Sequence, residues 1–229
     1  MKTIITLSFY FLLFTFNSLL AQTSPFAQNL WTSVLWRHQF NRGIVLTSDV
    51  GYRSFDAFYK QTRQQLGRVM IEKKIGANHA FGIGYTYFNS YSSSNKKLTG
   101  ESRPFINYQF IHNHEKFSLG LRIRNELRYF IEKKEWINRL RGQINFEFKT
   151  TNKNVLPRIF VEGFISSGTI ALKEYRFSFG NTFTISDTYK FFLFYTLQRQ
   201  SSLVVNNNVI NQHILGLQVQ LNTISNVNE

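Results

Sequence analysis

The sequence predicts an all-β protein: a transmembrane antiparallel up-and-down β-barrel of about 12 strands (10–12), following an N-terminal signal peptide. Three observations carry this expectation. Long stretches alternate apolar and polar residues with a period of two. The polar side of the alternation holds Arg and Glu too densely for a dry protein core. The apolar side is rich in Phe, Leu and Ile, so the pattern reads as a wet inside and an oily outside.

The stretch 115–149 shows this most clearly. Phe117, Leu119, Leu121, Ile123, Asn125, Leu127 and Tyr129 fall on one side, with Ser118, Gly120, Arg122, Arg124, Glu126 and Arg128 on the other. After the polar tip Glu132-Lys133-Lys134-Glu135 the pattern returns. Leu140, Gly142, Ile144, Phe146 and Phe148 alternate with Arg139, Arg141, Gln143, Asn145 and Glu147. Two long strands joined as a hairpin explain this; a helical face from Phe117 would mix Gly120, Leu121, Arg124 and Arg128. A turn centred between Lys133 and Lys134 would oppose Glu126 to Arg141 and Arg128 to Arg139. One register of the following strand would then set Glu162 beside Arg141, between two carboxylates.

Composition narrows the class. The mean hydropathy is −0.22, which argues against a helical membrane protein. The one apolar run near spanning length, Ile4 to Leu20, follows Lys2 and precedes Ala21. Residues 1–21 therefore read as a secretory signal peptide and 22–229 as a single barrel domain. Thr6, Ser8, Thr15, Asn17 and Ser18 interrupt the run and weigh against a membrane anchor. The net charge is +14. Export argues against a nucleic-acid partner, as does the spread of basic residues along strands. The chain has no cysteine, which removes thiolate metal sites and a thiol nucleophile.

Candidate strands follow in order near 29–40, 43–53, 63–75, 78–90, 102–112, 115–130, 137–149, 155–166, 174–185, 188–199 and 211–222. Short connections alternate with longer, more polar ones, as the periplasmic turns and outer loops of a bacterial outer-membrane barrel do. Ser-Ser-Ser-Asn at 92–95 and Asn-Asn-Asn at 206–208 suit exposed loops. Single-chain bacterial barrels usually have an even number of strands, so twelve is favoured over ten, with part of a twelfth in Gln22 to Asn29. The segment 63–75 fits the alternation worst. Trp31, Trp36 and Trp136 suit interfacial girdles. Alternation alone does not tell inside from outside, so a soluble secreted sandwich or lipocalin-like barrel stays open.

Several ordered fragments together resemble a known family. They are Glu101-Ser-Arg103-Pro104, Arg122-Ile-Arg124-Asn-Glu126-Leu-Arg128, Arg139-Leu-Arg141, Glu162, Tyr175-Arg176, and His213 with Gly216. The chain resembles the uncharacterised outer-membrane β-barrel family of Bacteroidota-type bacteria, domain of unknown function 2490. The resemblance implies a barrel in the bacterial outer membrane, and implies no reaction or substrate.

The candidate site is the charge network Arg122, Arg124, Glu126, Arg128, Arg139, Arg141, Arg158, Glu162 and Arg176, read either as structural or as anion-attracting. No catalytic, cofactor-binding or metal residues are assigned. His38, His79, His112, His114 and His213 have no His-x-Ser partner, and His112 and His114 share a polar turn. Gly82 and Gly84 leave room inside a crowded barrel rather than forming a phosphate loop. The expected role is a small pore or structural barrel with a basic lumen, in contact with outer-membrane lipid and small anionic solutes. The alternative from another class is a lipid-modifying membrane enzyme.

Overall fold

A computed structural model describes residues 27–54, 62–91, 97–167, 173–201 and 209–225. The signal-peptide reading of 1–21 and the loop readings at 92–95 and 206–208 lie outside the described residues, as does most of Gln22 to Asn29. Eleven strands form a closed barrel: β1 (Ala27–Gln39), β2 (Ile44–Ser54), β3 (Thr62–Ile75), β4 (His79–Tyr91), β5 (Leu98–Asn113), β6 (Phe117–Phe130), β7 (Glu135–Phe148), β8 (Val155–Ser166), β9 (Lys173–Thr184), β10 (Tyr189–Ser201) and β11 (Val209–Ile224). Each sequence neighbour pairs antiparallel. The ring then closes between β1 and β11 in parallel, from Ala27↔Gln212 to Gln39↔Ile224. An up-and-down ring with an odd number of strands must contain one parallel pair, because its first and last strands point the same way. The parallel seam therefore closes the eleven segments without the expected twelfth strand.

Alternation decides the faces. Every strand turns an apolar residue outward, from Val34 in β1 to Leu217 in β11, each more than a third exposed; Ile83 reaches 67%. The opposite parity points inward and holds the buried polar groups, among them Asp49, Glu72, Glu101, Arg124, Glu126 and Glu162. A closed barrel with this polarity replaces the sandwich alternative. β3 fits the alternation poorly because its inward side carries Leu66 and Met70 among Gln64, Arg68 and Glu72, while Gln65 and Gly67 point outward.

The inside is filled by more than charge. Phe192 and Phe194 stack with centroids 4.9 Å apart, and Phe160 lies 6.0 Å from Phe192. Glycine admits these rings: a Cβ on Gly216 would lie 2.0 Å from the Phe194 ring, and one on Gly84 2.3 Å from that of Phe105. The reading of Gly84 as a space-maker thus holds.

The β6–β7 hairpin corrects the expected register. Its turn is Ile131 to Lys134, with Lys134 at φ 53°, and β7 starts at Glu135. Opposed residues are therefore Glu126↔Arg139, Arg124↔Arg141 and Arg128↔Ile137. The turn is centred one residue earlier than expected, which slides the partner by two. A slip of two keeps each side chain on its face and changes only whom it meets.

Candidate functional site

The charged residues form one network inside the barrel, and register explains its links. Directly opposed on β6 and β7, Arg139 Nε donates to Glu126 at 2.9 Å. Arg124 and Arg141 are also opposed, and two guanidiniums in register repel. They part. Arg141 turns toward β8, where its Nε donates to Glu162 at 3.2 Å, and its Nη1 lies 3.9 Å from Glu126. Arg141 thus sits between two carboxylates, as expected, although Glu162 itself pairs in register with Gln143. Arg124 turns toward β5. Its Nε donates to Asn107 Oδ1 at 3.3 Å, its Nη2 lies 3.9 Å from Met70 Sδ, and its guanidinium rests 4.1 Å from the Phe105 centroid.

Two further carboxylates complete the network. Glu162 also takes Arg122 at 3.2 Å and Arg176 at 3.5 Å, so three guanidiniums share it. Glu101 accepts from Arg103 at 2.5 and 2.6 Å and from Arg128 at 2.5 and 3.1 Å. Glu174 pairs with Arg176. Aromatic faces carry the guanidiniums between acids: Phe164, 3% exposed, lies under Arg139, Arg141 and Arg176 at 4.7–5.2 Å, and Arg103 rests 3.8 Å over Phe88. Such seats satisfy the planar face of a cation that no acid can reach.

The network surrounds a cup of about 190 Å³. Arg124, Glu126, Arg128, Arg139, Arg141 and Arg176 line it, together with Trp31, Arg53, Gln64, Arg68, Thr86, Phe88, Arg103, Glu174 and Gln198. All lie in the half of their strand that adjoins the longer connections. Of the nine residues expected from sequence, Glu162 and Arg122 join this network from behind the cup lining. Arg158 stands apart, 3.4 Å from Glu147 and over the Phe192 ring.

The candidate residues omit Arg53, Arg68, Arg103, Glu174 and Trp31 in the lining, and Glu101 behind it. Glu101 precedes the strand expected near 102–112; the strand begins at Leu98 and turns Glu101 inward. Trp31, expected in an outer girdle, faces the cup instead and carries Arg53 at 4.0 Å over its ring. Its parity opposite Leu30 and Thr32 was the available signal. Trp36 and Trp136 do face outward.

One histidine gains a partner that sequence spacing hid. His38 Nε2 lies 2.9 Å from Ser225 Oγ, and its Nδ1 lies 2.7 Å from Thr223 Oγ1, across the β1–β11 seam. The third group is a hydroxyl that also accepts from Trp36 Nε1 at 3.1 Å. A hydroxyl lacks the charge by which a carboxylate stabilises an imidazolium. The ring stacks on Trp36 and meets Phe40 edge-on at the rim. The contact ties the seam together. His112 and His114 lie at the exposed end of the β5–β6 connection, where His114 packs on Phe117.

The profile of the family described as "Protein of unknown function (DUF2490)" matches residues 28–208. The chain belongs to this family. The match spans β1 to β10 and ends before β11, so His213 and Gly216 lie outside it. No curated protein matches the chain. The Arg-x-Arg-x-Glu-x-Arg strand and the Arg-x-Arg strand of this DUF2490 member supply half of the cup's charged side chains: Arg124, Glu126, Arg128, Arg139 and Arg141.

Proposed function

We propose that this DUF2490 protein is a bacterial outer-membrane β-barrel, exported by residues 1–21. Its interior is a structural ion-pair lattice around a small basic cup for anionic solutes, rather than a wide pore. The supporting observation is the inversion of sides. Every strand exposes an apolar residue outward, while Arg124, Glu126, Arg139 and Glu162 are buried inward. In water a continuous apolar ring would far exceed the few hundred Å² that a monomer tolerates. In a bilayer it is the matched surface. Size supports the second half: about 190 Å³ is below the roughly 300–1,000 Å³ of ordinary ligand pockets.

Cell fractionation tests the location. The protein is expected in the outer-membrane fraction, with heat-modifiable mobility on gels. Recovery as a periplasmic protein that is stable without detergent would reject the reading.

The lipid-modifying enzyme is the reading to compare. We infer no hydrolase activity, because among the described residues both partners of His38 are hydroxyls and no carboxylate orients and charges the histidine. Refolded protein incubated with phospholipid is expected to release no fatty acid. Acyl release that Ser225→Ala abolishes would establish the enzyme instead.

A further inference from the structure

The cup contains a cation whose acid is missing. Arg124 is 2% exposed, yet among the described residues no carboxylate lies within ion-pair distance of it. Its partners are a neutral amide, a thioether and the face of Phe105. Burying a guanidinium without a counter-charge costs several kcal/mol. The neighbouring charges make this worse, since Arg141 is its register partner.

A second, independent group points the same way. Trp31 Nε1 is buried and has no hydrogen-bond partner among the described residues, and its side chain lines the same cup. An indole N–H is a donor only, so an acceptor is what it lacks. The balance of the lining agrees: eight guanidiniums face the cup against two carboxylates, Glu126 and Glu174. Even with Asp49, Glu101 and Glu162 counted from behind, acids fall short of the arginines.

We propose that the cup is a binding site for a small oxyanion of the phosphate class, with Arg124 as its buried counter-charge and Trp31 Nε1 as a neutral donor. A phosphate presents several acceptor oxygens to planar guanidinium forks, which suits an arginine-lined wall better than a single-point anion does. The proposal deepens the reading of a basic interior and does not depend on the membrane in which the barrel sits. A free phosphate and a lipid headgroup present this same chemistry. The β5–β6 ladder offers the second route: its register omits Arg103 and Pro104, where proline has no N–H to donate. Arg103 and Arg128 face the cup at this break, and Pro104 and Leu127 line an apolar groove on the outer side.

The test is calorimetric titration of the detergent-refolded full chain with pyrophosphate at low salt. Saturable binding is expected. Arg124→Gln should weaken it about ten-fold or more, the loss of one charge-assisted contact. Arg158→Gln, outside the cup, should leave it unchanged. Trp31→Phe removes only the N–H and some ring area, so it should weaken binding about three-fold or more without a folding defect. It keeps the test decisive if Arg124→Gln does not fold. Absence of saturable binding, or binding that Arg124→Gln and Trp31→Phe leave intact, overturns the proposal. Repeating the titration in nanodiscs separates the sources. Competition by phosphatidylglycerol over phosphatidylcholine discs supports a headgroup ligand, and equal binding in both supports a free one. Failure in this assay leaves fractionation to judge the membrane reading separately.

Discussion

Single residues in the network differ in how many partners they leave behind. Arg141 bridges Glu126 and Glu162, yet its removal leaves both acids with other cations. Glu126 retains Arg139, and Glu162 retains Arg122 and Arg176. Glu162 is the true hub: without it, the part-buried guanidiniums of Arg122, Arg141 and Arg176 lose a shared counter-charge. Glu162→Ala is expected to destabilise the barrel by about 3–5 kcal/mol, the range for breaking a buried pair, and Arg141→Ala by clearly less. Urea unfolding in detergent, followed by loss of the heat-modifiable band, ranks the two. An Arg141→Ala cost equal to or above that of Glu162→Ala would contradict the hub. At this scale the sequence announced the charges themselves, since Arg122 to Arg128 and Arg139 to Arg141 alternate with apolar residues. Pairing was less legible, because partner choice depends on where the β6–β7 turn is centred. The aromatic seats were illegible: Phe88, Phe105 and Phe164 sit at inward positions that composition alone assigns to the oily face.

At the scale of elements, closure rests on two seams that deviate from plain antiparallel pairing. In the parallel β1–β11 seam, β11 is held on its other side by Phe194 of β10, which needs Gly216 opposite: a Cβ there would sit 2.0 Å from the ring, with other ring atoms at 2.2 and 2.4 Å. Phe194 also crowds Gly180, where a Cβ would lie 2.2 Å from the Leu193 carbonyl oxygen. Gly216→Ala must push an aromatic ring that has stacked neighbours, and overpacking of this kind costs about 1–3 kcal/mol. The expected outcome is a lower fraction of refolded, heat-modifiable barrel; refolding equal to wild type would show that Phe194 yields freely. The β5–β6 seam has the opposite fault, a gap rather than a clash. Pro104→Val restores an N–H at the interrupted position, so amide exchange at Leu127 and Arg128 should slow by hydrogen–deuterium exchange. Strand positions were legible to within four residues, because period-two alternation is strong over most of the chain. The parallel closure was not, since nothing in a strand's own sequence states the direction of its neighbour.

The whole molecule turns on whether the interior is a channel or a plug. Alternation and the excess of arginine suggest a wet, positive lumen, and that much was readable. What was not readable is how far the lumen is filled. The run Phe191-Phe192-Leu193-Phe194 has no alternation of its own; parity with Lys190, Thr196 and Gln198 sets Phe192 and Phe194 on the inner side, but not how far they fill it. Inside, they stack on each other and meet the tilted ring of Phe160, while Val45 and Ile214 are buried at 1% and 0% exposure. The cup lies among the paired arginines in the halves of the strands next to the longer connections. Ions crossing such an interior would have to displace both an aromatic layer and the ion pairs that hold Arg139, Arg141 and Arg176 to their acids. Neither moves cheaply, since close-packed side chains and paired buried charges each resist rearrangement. The wild-type barrel in a planar bilayer is therefore expected to give a flat current trace. Phe192→Ala with Phe194→Ala should thin the aromatic layer while leaving the arginines in place. If a path opens, its current should favour anions, because guanidiniums outnumber carboxylates around the cup and raise the local anion concentration. Reversal potentials in a salt gradient measure that preference. Steady, large conductance from the unaltered protein would mean that the packed interior is not a plug, and would move this family member toward the pore reading.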